Sequence, residues 1–215
     1  MTTNRTTARY RVWRAGVVAV GVCGVLIGCA TTEPSKGPAT LRPASQQAPI
    51  NQVVGEAIVA SLGGAAVTVR WMDAAAVGAY YAGRPGLVAP WPRALWEEAP
   101  PTIFLARIRN QTREEVQFDP AIAVLVAQDG QRDRTIPYEE MYMRLSDTDG
   151  AAPRLVSLQA TLLSRFVVIR PGGEREGLLL FPTLKPEAVH LLLDLPSFFV
   201  GGRAFPGRFE FQVTR

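Results

Sequence analysis

Apolar and polar positions change character twice along this chain. Residues 15–28, AGVVAVGVCGVLIG, form an uncharged, mostly apolar run of fourteen residues. That is shorter than the roughly 20 residues a membrane-spanning helix needs. Residues 30–50, ATTEPSKGPATLRPASQQAPI, are rich in Pro, Ser, Thr, Ala and Gln and carry few large apolar side chains. Such a segment buries too little surface to fold and predicts a flexible tether. Fully extended at ~3.3 Å per residue, it would reach about 70 Å. From about residue 51 the pattern becomes that of a globular body.

Within that body, alternation of period two marks strands. Residues 65–71, AAVTVRW, set Val67, Val69 and Trp71 on one face against Thr68 and Arg70. Asp73 is placed to cap a short Ala-rich helix over 74–82 that ends at Gly83. Residues 84–101 hold five prolines together with Trp91 and Trp96, which predicts a long packed loop. Beyond it, 102–109 place Phe104, Ala106 and Ile108 on one face, and 121–127 alternate into the hairpin signal Asp129-Gly130. Residues 137–145 suit a short helix, 146–153 a turn-rich loop, and Leu155, Leu158 and Leu162 then recur at helical spacing. Strands are predicted over 166–169, 177–181, 189–195 and 208–214, while Phe198–Gly202 reads as an apolar loop.

About seven or eight short strands, with two or three short helices in the connections, predict a mainly β fold. The architecture expected is an antiparallel β-sandwich, since no repeat and no βαβ alternation occurs. The expected division is 1–28, 29–50 and a single domain over 51–215. That domain would comprise a strand, helix and loop segment (51–101) and the sandwich core (102–215).

Charge sharpens the reading of the first segment. The chain carries 23 Lys+Arg against 19 Asp+Glu, a formal net charge of +4. Arg5, Arg9, Arg11 and Arg14 all precede the apolar run, and without them the body has 19 basic and 19 acidic residues. A neutral body excludes a basic nucleic-acid footprint. A basic start, a short apolar run and small residues near its end describe a secretory signal peptide.

The run ends in Leu26-Ile27-Gly28-Cys29, which resembles the lipobox of bacterial lipoproteins. The resemblance implies recognition by the signal peptidase through Leu26, Ile27 and Gly28 and cleavage after Gly28. It further implies that Cys29 is diacylated on sulfur and becomes the acylated first residue of a membrane-anchored protein. Cys23, preceded by Val22, fits that pattern less well. Ala30 stands where Gram-negative lipoproteins retained at the inner membrane tend to carry Asp, so the resemblance favours the outer membrane, facing the periplasm. An uncleaved N-terminal anchor is the alternative. With Cys23 removed and Cys29 lipidated, a chain of two cysteines keeps no thiol for disulfides, metal sites or nucleophilic catalysis.

A second resemblance covers roughly 102–195. The order FLARIRNQT, VQFDP, DG and VVIRPGGEREGLLLFP is similar to immunoglobulin-like domains of uncharacterised bacterial envelope lipoproteins. There, a strand ending in Asn-x-Thr precedes a hairpin, and a Pro-Gly-Gly turn precedes a Gly-x-x-x-Phe strand. The resemblance implies an immunoglobulin-like sandwich and brings no catalytic residue. The insert over 138–164 departs from a minimal sandwich.

Candidate chemistry is sparse. His190, the one histidine, falls on the polar face of its strand with Asp194. A general base could sit there, yet no nucleophile-elbow sequence accompanies it. Asp147-Thr148-Asp149-Gly150 reads as a polar turn: aligning Gly150 with the glycine of an EF-hand puts Leu145 and Val156 at the ligand positions. Glu97-Glu98 and Glu139-Glu140 are neighbours in sequence and so point apart, which is poor geometry for paired acid–base catalysis. Tyr80, Tyr81, Trp91 and Trp96 concentrate aromatic side chains that could line a sugar or peptide surface, or pack a loop onto the sheet.

These features predict a lipid-anchored periplasmic protein with a non-enzymatic binding or structural role in the envelope, without cofactor or metal. Its partners would be the membrane, through lipid, and an envelope protein or peptidoglycan. An accessory lipoprotein of a secretion or surface-assembly machine is the first alternative, and a periplasmic hydrolase the second.

Overall fold

The computed structural model describes residues 39–92 and 100–215. Leu26, Ile27, Gly28, Cys29, Trp96 and the Glu97-Glu98 pair lie outside the described residues. In chain order the strands are β1 (Thr40–Pro43), β2 (Asn51–Val54), β3 (Ala57–Leu62), β4 (Ala65–Met72), β5 (Thr102–Arg109), β6 (Val116–Phe118) and β7 (Val124–Ala127). They continue as β8 (Arg132–Arg134), β9 (Val167–Ile169), β10 (Glu174–Phe181), β11 (His190–Leu195), β12 (Phe198–Val200), β13 (Arg203–Ala204) and β14 (Gly207–Thr214). The described helices are α1 (Ala74–Ala82), α2 (Tyr138–Ser146) and α3 (Ala151–Thr161), with a 3₁₀ turn at Pro120–Ile122.

Two five-stranded sheets pack as a sandwich, with strand orders β10-β5-β4-β3-β2 and β1-β14-β11-β7-β8, and every strand pairing in them is antiparallel. Between them lie Ile58, Val67, Phe104, Ile108, Leu179 and Phe181 of the first sheet and Leu125, Leu193, Phe209 and Phe211 of the second, all buried. A four-stranded sheet, β13-β12-β6-β9, continues the second one past a break at Pro120–Ala123. Hydrogen bonds from Asp119 N–H to Ser197 O (3.1 Å) and from Phe205 N–H to Phe198 O (2.8 Å) carry the ladder across.

The first sheet is buried on both faces over part of its area. Leu178 and Leu180 of β10 alternate with Leu179 and Phe181, and they join Met72 and Ile103 in a second apolar cluster. That cluster is closed by Val77, Tyr80 and Tyr81 of α1, Met141 and Leu145 of α2 and Leu158 of α3. The 138–164 insert is therefore a helical layer on the outside of the sandwich. Its ends are chemically specified. Asp73 Oδ1 accepts from Ala76 N–H (2.7 Å) to cap α1. Glu139 and Glu140 sit in the first turn of α2 and Arg144 in its last, as the helix dipole favours.

Several expectations change. Residues 40–43, assigned to the tether, form β1, because Leu41 is buried and the strand pairs in register with β14 from Thr40↔Thr214 to Pro43↔Phe211. The tether assignment therefore does not extend to residues 40–50. Segment 51–101 does not stand apart from the sandwich: β3 and β4 are interior strands of the first sheet. The loop before α3 is shorter than 146–153, since α3 begins at Ala151 and takes Pro153 in its first turn, where no N–H partner is lost. Phe198–Gly202 is a strand and its turn, with Phe198 and Val200 in the core.

Candidate functional site

Tyr80, Tyr81 and Trp91, the described members of the aromatic set, do not form a surface. Tyr81 is 2% exposed and Trp91 5%, and Tyr80 is buried beside them in the helical cluster. Tyr81 and Thr161 share a 2.6 Å hydroxyl hydrogen bond, and burial pushes the Tyr81 hydroxyl well above its ordinary range, with the Thr161 bond partly offsetting this. Arg84 lies 3.5 Å over the Tyr80 ring and donates to Tyr80 O at 2.8 Å. These side chains hold the 83–92 segment onto the sheet, which is the packing alternative.

The other candidates resolve individually. His190 begins β11 and is exposed. Asp194, on the same side of that strand, faces Arg132 and Arg208, each at 3.9 Å. Residues 147–150 are the turn between α2 and α3, with Gly150 at φ 70°. Glu140 pairs with Arg144 one turn along α2. Among the described residues no cluster of three or more His, Cys, Asp or Glu is placed to hold a metal ion.

Two polar constellations organise the sandwich. Asn110, fully buried at the end of β5, donates from Nδ2 to Glu114 O and Ile169 O, both at 2.8 Å. Its Oδ1 accepts from Thr112 N–H (3.0 Å) and Thr112 Oγ1 (2.8 Å). Its main chain donates to Gly173 O and accepts from Gly172 N–H, both at 2.9 Å. The Asn-x-Thr and Pro-Gly-Gly motifs are thus one lock, tying β5 to β9 and to the turn before β10. On the outer face, Glu176 bridges Arg84 and Arg107, each at 2.5 Å, and Glu174 holds Arg107 and Arg109 at 3.2 and 2.9 Å. The hydrogen bond from Arg107 to the Glu176 carboxylate raises the Arg107 guanidinium further above its ordinary range.

What remains open is the edge of a sheet. Edge strands present unpaired N–H and C=O groups, and folded proteins ordinarily blunt them with charge, proline, brevity or cover. The outer edge of β10 is covered: Leu163 N–H donates to Leu178 O (2.8 Å) and Ile136 N–H to Leu180 O (2.7 Å). Strand β8 is Arg-Asp-Arg, β1 ends in Pro43, β13 has two residues, and the three of β9 are flanked by Arg165 and Arg170. Strand β2, Asn51-Gln52-Val53-Val54, has neither charge nor proline within its four residues, with Pro49 and Glu56 two positions beyond its ends, and among the described residues it pairs only with β3.

The side chains at this edge are apolar and open. Ile50 and Val53 are 49% exposed and Val54 59%. Val54 pairs with Ala57 across the two-residue Gly55-Glu56 turn, and such turns close on a hydrogen-bonded pair. Alternation along an antiparallel ladder then commits Val54 and Gln52 to β3 and directs the main-chain groups of Val53 and Asn51 outward. Asn51 N–H is taken by Ala48 O at 3.0 Å. The arrangement can do one thing chemically, which is to accept another extended strand. The sequence did carry a signal for the hairpin, though not for its being an edge: Gly55-Glu56 stands between Val53-Val54 and the alternating Ile58, Ala60 and Leu62. Comparison with family models, with curated proteins and with solved structures finds no match to this chain.

Proposed function

We propose that this protein is a lipid-anchored component of the bacterial envelope that acts without catalysis, by binding an extended polypeptide strand at the β2 edge. The anchor in this reading is Cys29, released by cleavage after Gly28 in Leu26-Ile27-Gly28-Cys29. Residues 30–38 are the spacer, reaching about 30 Å at ~3.3 Å per residue. Several acyl chains hold a domain at a membrane durably where one alone is marginal. Among the described residues no helix is long and apolar enough to cross a membrane. The observation that carries the binding half of the reading is β2: four uncharged residues, unguarded, with Val53 main-chain groups turned outward. Strand addition uses the main chain for affinity and alternate side chains for selectivity.

Fractionation and photocrosslinking test the two halves separately. Wild-type protein is expected in the membrane fraction with a lipid-modified Cys29 at its N-terminus by mass spectrometry. Cys29→Ser is expected to keep its first 28 residues and its unmodified mass, and an identical lipid-modified mass for both forms would refute the anchor. A photoreactive side chain (Val53→benzoylphenylalanine) is expected to give polypeptide adducts in cells, and their absence would refute the edge.

A further inference from the structure

We infer that the strand received at the β2 edge is β2 of a second copy, paired antiparallel about a two-fold axis at Val53, so that two five-stranded sheets become one continuous ten-stranded sheet. This rests on reading β2 as a strand-accepting edge. The register follows from which groups are free. Outward-facing donors belong to Val53 and the Gly55 turn residue, and outward acceptors to Val53 and Asn51, because Asn51 N–H is already held by Ala48 O. A ladder running past Asn51 would meet that occupied donor. A two-fold centred on Val53 spends the free groups and stops at it: each Val53 N–H donates to the other Val53 C=O, each Gly55 N–H faces the other Asn51 C=O, and each Asn51 N–H stays with Ala48 O, ending the ladder there.

The side chains agree with that register. Residues 47–55 carry no charge, so self-pairing brings no like charges together, and the edge offers a charged partner nothing to complement. Glu56 falls opposite Ile50 of the other copy, six positions along the strand from its own counterpart, about 20 Å away. Val53 meets Val53 on the core side and Val54 meets Gln52 on the outer side, covering the exposed apolar groups of the edge. The pairing is short, but copies anchored in one membrane meet at raised effective concentration, where a short pairing suffices.

Charge exchange at the axis tests the register directly. In full-length protein carrying two different tags, Val53→Lys alone and Val53→Glu alone are each expected to lower co-purification of the second tag at least tenfold. Position 53 is half exposed, and the melting temperature of each variant, read alongside, separates lost pairing from lost folding. Co-expressing Val53→Lys with Val53→Glu places opposite charges face to face and is expected to restore co-purification. Failure of the mixed pair to exceed either single variant would overturn the inference. Adducts from Val53→benzoylphenylalanine should contain both tags at twice the chain mass. Adducts with a different protein would overturn the self-pairing and leave the strand-accepting reading standing. An absence of any adduct would overturn both.

Discussion

Replacing Asn110 should expose how much of the sandwich hangs on one buried amide. All four hydrogen-bonding positions of its side chain are used, at 2.8, 2.8, 2.8 and 3.0 Å, and the residue is 0% exposed. Each such bond contributes about 1 kcal/mol net, and stripping a partner from a buried group costs about 1–3 kcal/mol. Glu114 O retains Thr112 Oγ1 as a donor at 3.0 Å, so it is not orphaned. Asn110→Ala is therefore expected to cost about 3–5 kcal/mol, a large share of the roughly 5–15 kcal/mol of a typical domain. With a urea slope of about 2 kcal/mol per M, the unfolding midpoint should fall by about 2 M, read by tryptophan fluorescence. Asn110→Asp is the sharper perturbation. It keeps the shape but turns an oxygen toward the carbonyls of Glu114 and Ile169. A carboxylate there is buried and repelled, so its pKa must rise above the ordinary value of about 4. A raised folded pKa means the folded state holds the proton more tightly. Above pH of about 4 stability then falls as pH rises, by up to about 1.4 kcal/mol per unit, until the folded group itself ionises. Asn110→Asp should lie nearest the wild type at pH of about 4 and fall steadily behind toward pH of about 8. A difference under about 0.5 kcal/mol, or one flat with pH, would refute the account of the lock.

Other consequences follow from burial and charge. Trp91→Ala should cost about 3–4 kcal/mol by urea unfolding, while a cost under about 1 kcal/mol would remove Trp91 from the cluster under the helices. Glu176→Gln, which releases both Arg84 and Arg107, should lower stability by about 1–2 kcal/mol at low salt, whereas Glu174→Gln at the more exposed end should cost less than about 0.5 kcal/mol. Because burial raises the Tyr81 hydroxyl above its ordinary value of 10.0, the unfolded chain ionises first and stability should fall as pH climbs past 10.0. Tyr81→Phe should flatten that alkaline slope while losing about 1 kcal/mol at neutral pH through the missing Thr161 bond.

The elements easiest to read from the chain bury one face each. In β14, Phe209, Phe211 and Val213 alternate with Arg208, Glu210 and Gln212, and the structure buries the first three. Strand β10 shows the opposite case. Leu178 to Phe181 is a continuous apolar run because the core covers one face and the helices the other, so the sequence announces a strand without announcing a third layer. The aromatic set misled for a related reason. Tyr80, Tyr81 and Trp91 look alike in composition whether they line a groove or fill one, and the decision depends on where α2 and α3 return. Strand β1 was hidden because Thr-Leu-Arg-Pro has one large apolar residue, Leu41. Its stability comes from the partner β14, a pairing of residues more than 165 positions apart.

The β2 edge was illegible for a deeper reason: being an edge is a property of pairing, not of residues. Val53 and Val54 differ in no intrinsic way from Val67 and Val69, which are fully buried in β4. Both pairs are β-branched residues that fit a pleated surface. What separates them is that β4 has neighbours on both sides and β2 has one. Sequence does betray edges when selection has guarded them, as the charges of β8 and the proline of β1 illustrate. An unguarded edge leaves no such mark. It becomes visible only when every other edge among the described residues has been accounted for, and an uncharged strand is found with the outward main-chain groups of Val53 unspent. A protein that gains nothing from that exposure would be expected to carry a charge at position 53, which is half exposed. The valine there is consistent with a strand that is covered when the protein is at work.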